Sequence, residues 1–456
     1  MVTAMPAILL AGLLAGLQDE GQVSTGSDRS GAVRIELSGR FDVHYFFRSA
    51  EVEATTAALA GLSPAGGATD AWAGRFSLRA DVTLRDAVSA VLELENRSFD
   101  EGKNFFLSSN PETDSVAIKQ GYVEAGEFLS PALSVRVGVQ DVTFRNRPHD
   151  EPFFMDLGET EGFFSGFSGA GGIVRNTVDR DVREAVGIRA LWSPTDFASV
   201  RAAGVVYGEG DVDSNGETVY VLAADTLLSE RTAVWLLGAL VSGSGSDLEE
   251  VVTVGLGGDG YVGEGRELEL FGEAYLQRGR LTGRIRKAAF AVQAGFRYVG
   301  LFEPSLWLEA AVAHRSGDRR PGDRVDQAFQ SYENENRFLV LESAEFGLDV
   351  DTNVSLLRAA LGGSPFSIDG RPVRLRLDVG RFAADAPLRG ATGSPLGAGE
   401  DDWGTEADLG AAWDLSASLR LWAKGAWLVG SRLLEELTPG RDPDAQVIAF
   451  GADLRF

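Results

Sequence analysis

The chain ends with the stretch "VIAFGADLRF" (447–456), which alternates between two kinds of side chain up to its last residue. Ile448, Phe450, Ala452 and Leu454 are apolar, whereas the positions between them are polar or small. A period of two places alternate side chains on opposite faces of a β-strand. This stretch therefore predicts a strand with one apolar face and one polar face.

The same alternation recurs along the chain, in "VRIELSGRFDVHYF" (33–46), in "WAGRFSLRADVTLR" (72–85), and again at 371–382 and 418–429. These segments are roughly twice as long as the average strand of a globular protein, which has about five or six residues. They are long enough to cross a bilayer at a tilt. Their polar faces carry too many charges for a protein core, so we expect those faces to meet water.

The connections between these segments alternate in length. Short turns are predicted at 84–88, 192–196, 227–232 and 413–417, and long loops at 49–70, 99–114, 145–181, 316–350, 383–403 and 430–444. Bacterial outer-membrane barrels have short periplasmic turns and long extracellular loops. The sequence therefore predicts an all-β fold: a transmembrane antiparallel up-and-down β-barrel of about 18 strands. A soluble sandwich or propeller is the alternative, and it explains the strand lengths poorly.

The last strand has a particular place in such a barrel. Closure abolishes the edges of the sheet, so we expect the last strand to pair with the first. Phe456 is then expected in the aromatic belt at the membrane interface. A terminal aromatic residue also resembles the signal that outer-membrane barrels present to their assembly machinery. We therefore expect two partners, the outer-membrane lipid and the barrel-assembly machinery.

Composition excludes several classes of function. The 456-residue chain has a net charge of −25, which argues against a general nucleic-acid surface. It contains no Cys, so there is no disulfide framework, thiol nucleophile or thiolate metal site. Three His residues weaken the case for most metals. We expect no cofactor.

The N-terminal residues predict a secretory segment. The apolar stretch from Ala7 to Leu17 is too short to span a bilayer and is followed by polar residues. We interpret 1–17 as a signal peptide, 18–31 as a linker and 32–456 as one barrel. A buried or disordered N-terminal helix is the alternative for the first segment.

Alternation also assigns the side chains that face the lumen. The predicted basic set is Arg34, Arg40, Arg75, Arg79, Arg85, Arg136, Arg189, Arg297, Arg374, Arg376, Arg420 and Lys424. The predicted acidic set is Glu36, Asp42, Asp81, Glu93, Glu269, Glu273 and Asp408. The basic residues could form a ladder that selects anionic solutes, because fixed charge in a narrow pore selects by sign. Equally, they could pair with the carboxylates and brace the wall.

Two glycine-containing stretches resemble ligand-binding motifs. "DVDSNG" (211–216) places Asp211, Asp213 and Asn215 at the offsets of a calcium loop, but its twelfth position is Leu222, where a Glu is needed. An Asp/Asn/Gly hairpin loop is the simpler interpretation, and a weak surface Ca²⁺ site is the alternative. "GLGGDG" (255–260) has the glycine spacing of a phosphate loop without a following helix, and we interpret it as turn glycine.

One pair of residues allows a test for catalysis. Asp42 and His44 lie on one face of one strand, so a carboxylate could orient the imidazole. No nucleophile can be placed beside them from the sequence. An enzyme is therefore not the expected function, although a barrel-embedded hydrolase stays an alternative.

Three stretches resemble the alginate-export family of outer-membrane barrels: "LSVRVGVQDVTF" (133–144), the region 292–324, and 397–432 with its Gly404-x-Glu406-x-Asp408 element. The resemblance implies an 18-stranded barrel whose lumen carries arginines for an anionic polysaccharide. The loop "NRPHDEPFFMDLGETEGFFSG" (146–166) departs from the family pattern. A general diffusion porin without a specific substrate is the alternative function.

The longest charged loop runs from Arg315 to Val350 and carries both charged and aromatic residues. Loops of this length in a compact domain are usually functional. We predict that it lies at the extracellular rim and folds over or into the pore.

Overall fold

A computed structural model describes the strands and parts of the loops. The described residues are 33–52, 55, 68–84, 88–99, 116–140, 142–143, 156–157, 186–207, 217–243, 248–263, 265, 267–281, 285–300, 306–320, 323–330, 337–342, 348, 350, 352–387 and 401–456. The predicted signal peptide, the predicted linker and the calcium-like loop lie outside them.

The described residues include 21 strands and a short helix, α1, at Arg432–Leu437. The strands are β1 Val33–Arg48, β2 Thr69–Leu84, β3 Val88–Phe99, β4 Val116–Ala125, β5 Leu133–Val139, β6 Val142–Thr143, β7 Asp156–Leu157, β8 Val186–Thr195, β9 Ala198–Tyr207, β10 Glu217–Ser229, β11 Thr232–Gly243, β12 Leu248–Val262, β13 Leu268–Leu281, β14 Arg286–Val299, β15 Leu306–Arg315, β16 Val325–Asp326, β17 Val354–Ile368, β18 Arg371–Ala384, β19 Asp402–Asp414, β20 Leu419–Val429 and β21 Ala445–Arg455.

Eighteen long strands form a closed antiparallel barrel, as predicted. Each long strand pairs with the next one along the chain, and β21 pairs with β1 to close the sheet. The two-residue β16 joins the same sheet beside the start of β14, whereas β6 and β7 form a separate pair. No helix among the described residues is long and apolar enough to cross a membrane.

The C-terminal residue takes part in closure. Gly39 N–H donates to the Phe456 carbonyl at 2.7 Å, and Phe456 N–H donates to the Gly39 carbonyl at 3.0 Å. The Phe456 ring lies where a side chain on Gly39 would be, and it stacks against Phe76 with 6.3 Å between ring centroids. The sequence prediction that the last strand pairs with the first is therefore confirmed.

Most connections alternate as predicted between a short-turn end and a long-loop end, but β11–β12 and β13–β14 are each joined at the long-loop end by only four residues. One prediction was wrong: "GLGGDG" (255–260) is not a turn but lies within β12. A side chain on Gly255 would meet the Tyr275 ring, and one on Gly257 would meet the Trp235 ring. These glycines make room for two inward-facing aromatic rings, which explains a glycine-rich strand without any turn.

A large apolar cluster lies inside the barrel near its long-loop end. It contains residues of β1 and β17–β21, together with Phe338, Leu341 and Leu434 from two loops. Ser431 caps α1 by accepting a hydrogen bond from Leu434 N–H at 3.0 Å, which directs the helix into this cluster. We call it the packed cluster. It covers the inner face of one side of the barrel.

Candidate functional site: the lumen

The lumen face is the polar face of the alternating strands. On β1, Asp42 and His44 are only 4% and 7% exposed, whereas Ile35 and Leu37 are 42% and 54% exposed. Large apolar side chains are exposed in the same way on most other strands. Because the closed barrel turns this apolar surface outward, the charged side chains predicted for the lumen face inward.

Three predicted arginines lie on the inner face of β18 and β20, near the short-turn end. Arg374 and Arg420 both contact Asp414, each at 2.8 Å. Arg376 binds Asp378 through two hydrogen bonds of 2.6 and 2.8 Å. Each guanidinium therefore has a carboxylate partner. Because the arginine side chains are also partly exposed, each keeps a surface toward the lumen.

The first strand carries a second group of predicted residues. Arg34 pairs with Glu36, and both are exposed near the short-turn end. Arg40 donates to Asp42 at 2.7 Å and lies 3.8 Å from Asp453 of β21. This contact ties the closing pair of strands together through charges on their inner faces.

On β2, Arg79 pairs with Asp81 at 2.8 Å and with Glu93 of β3 at 3.4 Å. Arg75 lies in β2 opposite Asp42, but its side chain is outside the described part of the structure, as is the whole of Arg85.

The neighbouring wall carries two more ion pairs. Arg136 of β5 contacts Glu124 at 2.6 Å and lies over the Tyr122 ring, 3.9 Å from its centroid. Arg201 of β9 contacts Asp225 at 3.0 Å. The sequence prediction missed Arg201, although the alternation in "ASVRAAGVVY" (198–207) places it inward.

Arg189 of β8 lies between these pairs. It is the cross-strand partner of Arg136, and it is only partly buried. No carboxylate of the described residues lies within ion-pairing distance of it. We call Arg79, Arg136, Arg189 and Arg201 the arginine wall; among its members, Arg189 is the cation with the least local compensation.

A third basic group surrounds an aromatic ring. Arg297 lies 4.5 Å and Arg376 lies 5.5 Å from the centroid of the Trp307 ring. A side chain on Gly362 would collide with this ring, so the glycine gives the tryptophan its place. The predicted acidic residue Glu269 is the cross-strand partner of Arg297 and is buried.

Glu273, also predicted for the lumen, is buried beside Tyr275, whose hydroxyl donates to it at 2.9 Å.

The loop between β15 and β17, which we call the lumen loop (316–353), turns into the barrel as predicted. Three successive backbone N–H groups in it bind two carboxylates of β19. Leu339 donates to Asp408 at 2.9 Å, and Val340 and Leu341 donate to Glu406 at 2.6 and 3.0 Å. Both carboxylates are fully buried.

Cations complete this attachment. Lys424 of β20 lies 3.1 Å from Asp408 and also donates to the carbonyl of Arg337. The Arg337 guanidinium contacts Glu309 of β15 at 2.6 Å, and Arg358 of β17 lies 3.5 Å from the same carboxylate. We call Glu406, Asp408 and Lys424 the latch. Asp408 and Lys424 were predicted to line the pore; in the structure both contact the backbone of the lumen loop.

A second attachment holds the lumen loop to the wall of β12 and β13. Gln277 donates to the Gln330 carbonyl at 2.6 Å and accepts from Gln330 N–H at 2.9 Å. The buried Phe329 ring packs against Tyr275, with 6.2 Å between centroids. The described segments of the loop are therefore fixed at two separate places on the inner surface.

At the long-loop rim, Asp385 tethers the beginning of the lumen loop. It accepts a hydrogen bond from Gly317 N–H at 2.9 Å and contacts Arg319. Burial alone would raise the pKa of Asp385. The hydrogen bonds from Arg319 and Gly317, together with the nearby His314, have the larger effect and lower the pKa below the usual value for Asp. The carboxylate is therefore charged at neutral pH.

Sequence reasoning also missed Glu309, Trp307 and Glu406, although the alternation of their strands places all three inward. The partner of Glu309, Arg337, lies in a loop, where alternation gives no information.

No group of three His, Asp or Glu residues in the described part of the chain could hold a metal ion. His44 lies beside Trp422 with 6.0 Å between ring centroids, and Asp42 is engaged by Arg40. The predicted Asp42–His44 pair is thus part of the packed inner wall.

Comparisons with known proteins agree with this geometry. The fold is that of an outer-membrane porin. The outer membrane protein OprD from Pseudomonas aeruginosa superposes with a TM-score of 0.54 at 12% identity, covering 92% of this chain and 93% of that one. A BenF-like porin from Pseudomonas fluorescens gives 0.56 at 10% identity, with 92% and 98% coverage. Pseudomonas aeruginosa OpdK, crystallised with vanillate, gives 0.55 at 11% identity with the same coverage.

Searches by sequence gave no match, either to a family model or to a curated protein. At such low identities, the structural matches establish the barrel architecture. The alginate-export resemblance therefore rests on the short motifs alone.

Proposed function

We propose that this protein is a passive channel of the bacterial outer membrane for small polar solutes, with a preference for anions. The observation that carries the proposal is the inward placement of arginines in a chain whose net charge is −25. A chain so acidic overall has no general reason to concentrate cations on one face of its strands. Fixed charge in a narrow, low-dielectric pore attracts ions of the opposite sign.

The contacts of these arginines fit transport better than tight binding. Each of Arg374, Arg376 and Arg136 already has a carboxylate partner, which lowers its affinity for a passing anion. A channel needs contacts weak enough for the solute to leave again. The planar guanidinium can still offer a second edge to a carboxylate.

The size of the solute follows from the lumen loop. Its two attachments place protein inside the barrel, which favours small carboxylates over a polysaccharide chain. Vanillate, the small aromatic carboxylate crystallised with OpdK, is a suitable test compound. The alginate-export resemblance favours a polyuronate instead. A general porin would have no preference for either compound.

The membrane and assembly partners belong to this proposal. The outward apolar side chains would contact outer-membrane lipid, and the strand ending at Phe456 would be recognised by the barrel-assembly machinery.

Planar-bilayer recordings test the proposal. We expect the wild-type protein to conduct with anion selectivity, and Arg374→Glu with Arg376→Glu to shift the reversal potential toward cations. Arg371→Glu is the matched control, because Arg371 lies on the same strand but is exposed on its outward face.

Vanillate and a polyuronate are then compared as blockers of the wild-type current. Block by vanillate alone supports the small-carboxylate channel, block by the polyuronate supports polysaccharide export, and block by neither supports a general porin. Unchanged selectivity in the double charge reversal would show that these arginines only brace the wall.

A further inference from the structure

A basic patch lies on the outer surface of the barrel at the long-loop end of β13 and β14. Arg278 and Arg280 lie near the end of β13, and Arg286 begins β14; all three are exposed. Alternation puts them on the same outer face as Leu276 and Phe290, which are 60% and 45% exposed. The patch therefore borders the apolar surface that meets the membrane.

The strand register brings these guanidinium groups together. Arg280 and Arg286 are direct cross-strand partners, and Arg278 lies two residues from Arg280 on the same face. Side chains in direct opposition have Cβ atoms about 5 Å apart, and like charges in such a pair destabilise a sheet. Glu250, the cross-strand partner of Arg280 on β12, is the one carboxylate with a described side chain on this face of β12–β14.

Two other exposed arginines at the same rim are neutralised within the protein. Arg319 is paired with Asp385, and Arg381 contacts Asp402 at 2.6 Å. In contrast, Arg278 and Arg286 form no hydrogen bond or ion pair through their side chains with any described residue. Among the described residues, the patch thus presents net positive charge outward, whereas Arg319 and Arg381 are balanced by carboxylates.

We propose that Arg278, Arg280 and Arg286 bind the phosphorylated headgroup of a lipid in the outer leaflet. Guanidinium groups bind phosphate oxygens in a bidentate manner. Their rigid positions on paired strands, directly above the apolar surface, match the depth at which a lipid carries its phosphates. The inference shares with the proposed function only the placement in the outer membrane.

The test measures binding of lipid A bisphosphate to the full-length, detergent-solubilised barrel by native mass spectrometry. We expect Arg278→Gln with Arg286→Gln to bind at least about tenfold more weakly, because charge-assisted hydrogen bonds are lost. Arg319→Gln with Arg381→Gln removes the same charge from the same rim and should bind within about twofold of wild type. Dephosphorylated lipid A should bind wild type as weakly as phosphorylated lipid binds the first variant.

The variants must migrate as folded barrels before boiling. Arg278→Lys with Arg286→Lys provides a second variant that keeps the charge but lacks the planar fork, and we expect intermediate affinity. Equal loss in both Gln pairs, or equal binding of phosphorylated and dephosphorylated lipid, would overturn the proposal. Displacement of the lipid by millimolar inorganic phosphate would also overturn it, because the site would then be one for free phosphate. Conductance and ion selectivity should not change in the variants of Arg278 and Arg286.

Discussion

The packed cluster and the arginine wall are two parts of one inner surface that are built in opposite ways. In the packed cluster, inward residues such as Leu356, Phe382 and Leu428 are apolar and covered by loop segments. In the arginine wall, the inward residues are guanidinium groups, three of which pair with carboxylates. One alternation rule thus produces a protein core on one side and a charged, water-facing surface on the other. What differs is whether the inward face is itself apolar.

The largest expected effect concerns the latch. Replacing Asp408 by Asn leaves the buried end of Lys424 without its charge partner, and breaking a buried pair costs roughly 3 kcal/mol or more. We expect the lumen loop to detach from β19 and the single-channel conductance to rise. Asp414→Asn on the same strand is the control, since its partly exposed ion pairs are worth less than about 1 kcal/mol. Equal conductance in the two variants would contradict the role of the latch in holding the lumen loop against β19.

A second prediction concerns the other attachment of the lumen loop. Phe329 is 1% exposed, and truncating a buried Phe to Ala costs roughly 3 kcal/mol or more. We expect Phe329→Ala to increase open-channel noise and proteolysis within the lumen loop while the barrel stays folded. Phe296→Ala removes a ring from the outward face, where it is 37% exposed, and should leave both measurements unchanged.

Sequence patterns anticipated the barrel, its strand number and its closure, because alternation, strand length and loop asymmetry are local properties. They also contained an unused sign of the packed cluster. "AWLV" (426–429) is apolar on both faces, as is "VSLLRAAL" (354–361) apart from Ser355 and Arg358, which is typical of strands buried on both sides. The pairing of Arg337 with Glu309 could not be predicted, since it depends on the path of a loop. The side chain of Arg75, the whole of Arg85 and the calcium-like loop lie outside the described part of the structure, so those predictions stay open.

A third prediction concerns the arginine wall. Arg189 has less compensation than Arg79, which contacts Asp81 and Glu93. We therefore expect Arg189→Gln to reduce anion selectivity more than Arg79→Gln, by about twofold in permeability ratio, since partly exposed charges act through a screened field. Reversal potentials in a salt gradient measure both variants. A larger change for Arg79→Gln would mean that local pairing does not decide which arginines act on the permeating ion.

The smallest expected effect is a pH dependence at the rim. Because the pKa of Asp385 is lowered in the folded protein, its contribution to holding the lumen loop is present above the ordinary Asp value of about 3.9 and is lost as pH falls through the lowered value. We expect hydrogen exchange near Gly317 to increase only in this acidic range. Asp385→Asn should show the faster exchange at neutral pH and no further change with acid; persistence of the wild-type profile in that variant would contradict the assignment.

The contrast between the two regions can be measured directly, because the chain contains no Cys and single cysteines can be introduced cleanly. Arg189→Cys and Ala426→Cys place a thiol on the arginine wall and in the fully buried packed cluster. In planar bilayers, an anionic methanethiosulfonate should react with the first and lower its conductance at once, while the second should stay unreactive until Asp408→Asn is added. Rapid modification of Ala426→Cys with the latch intact, or no modification of Arg189→Cys, would contradict the division of the lumen into a packed side and an ion-accessible side.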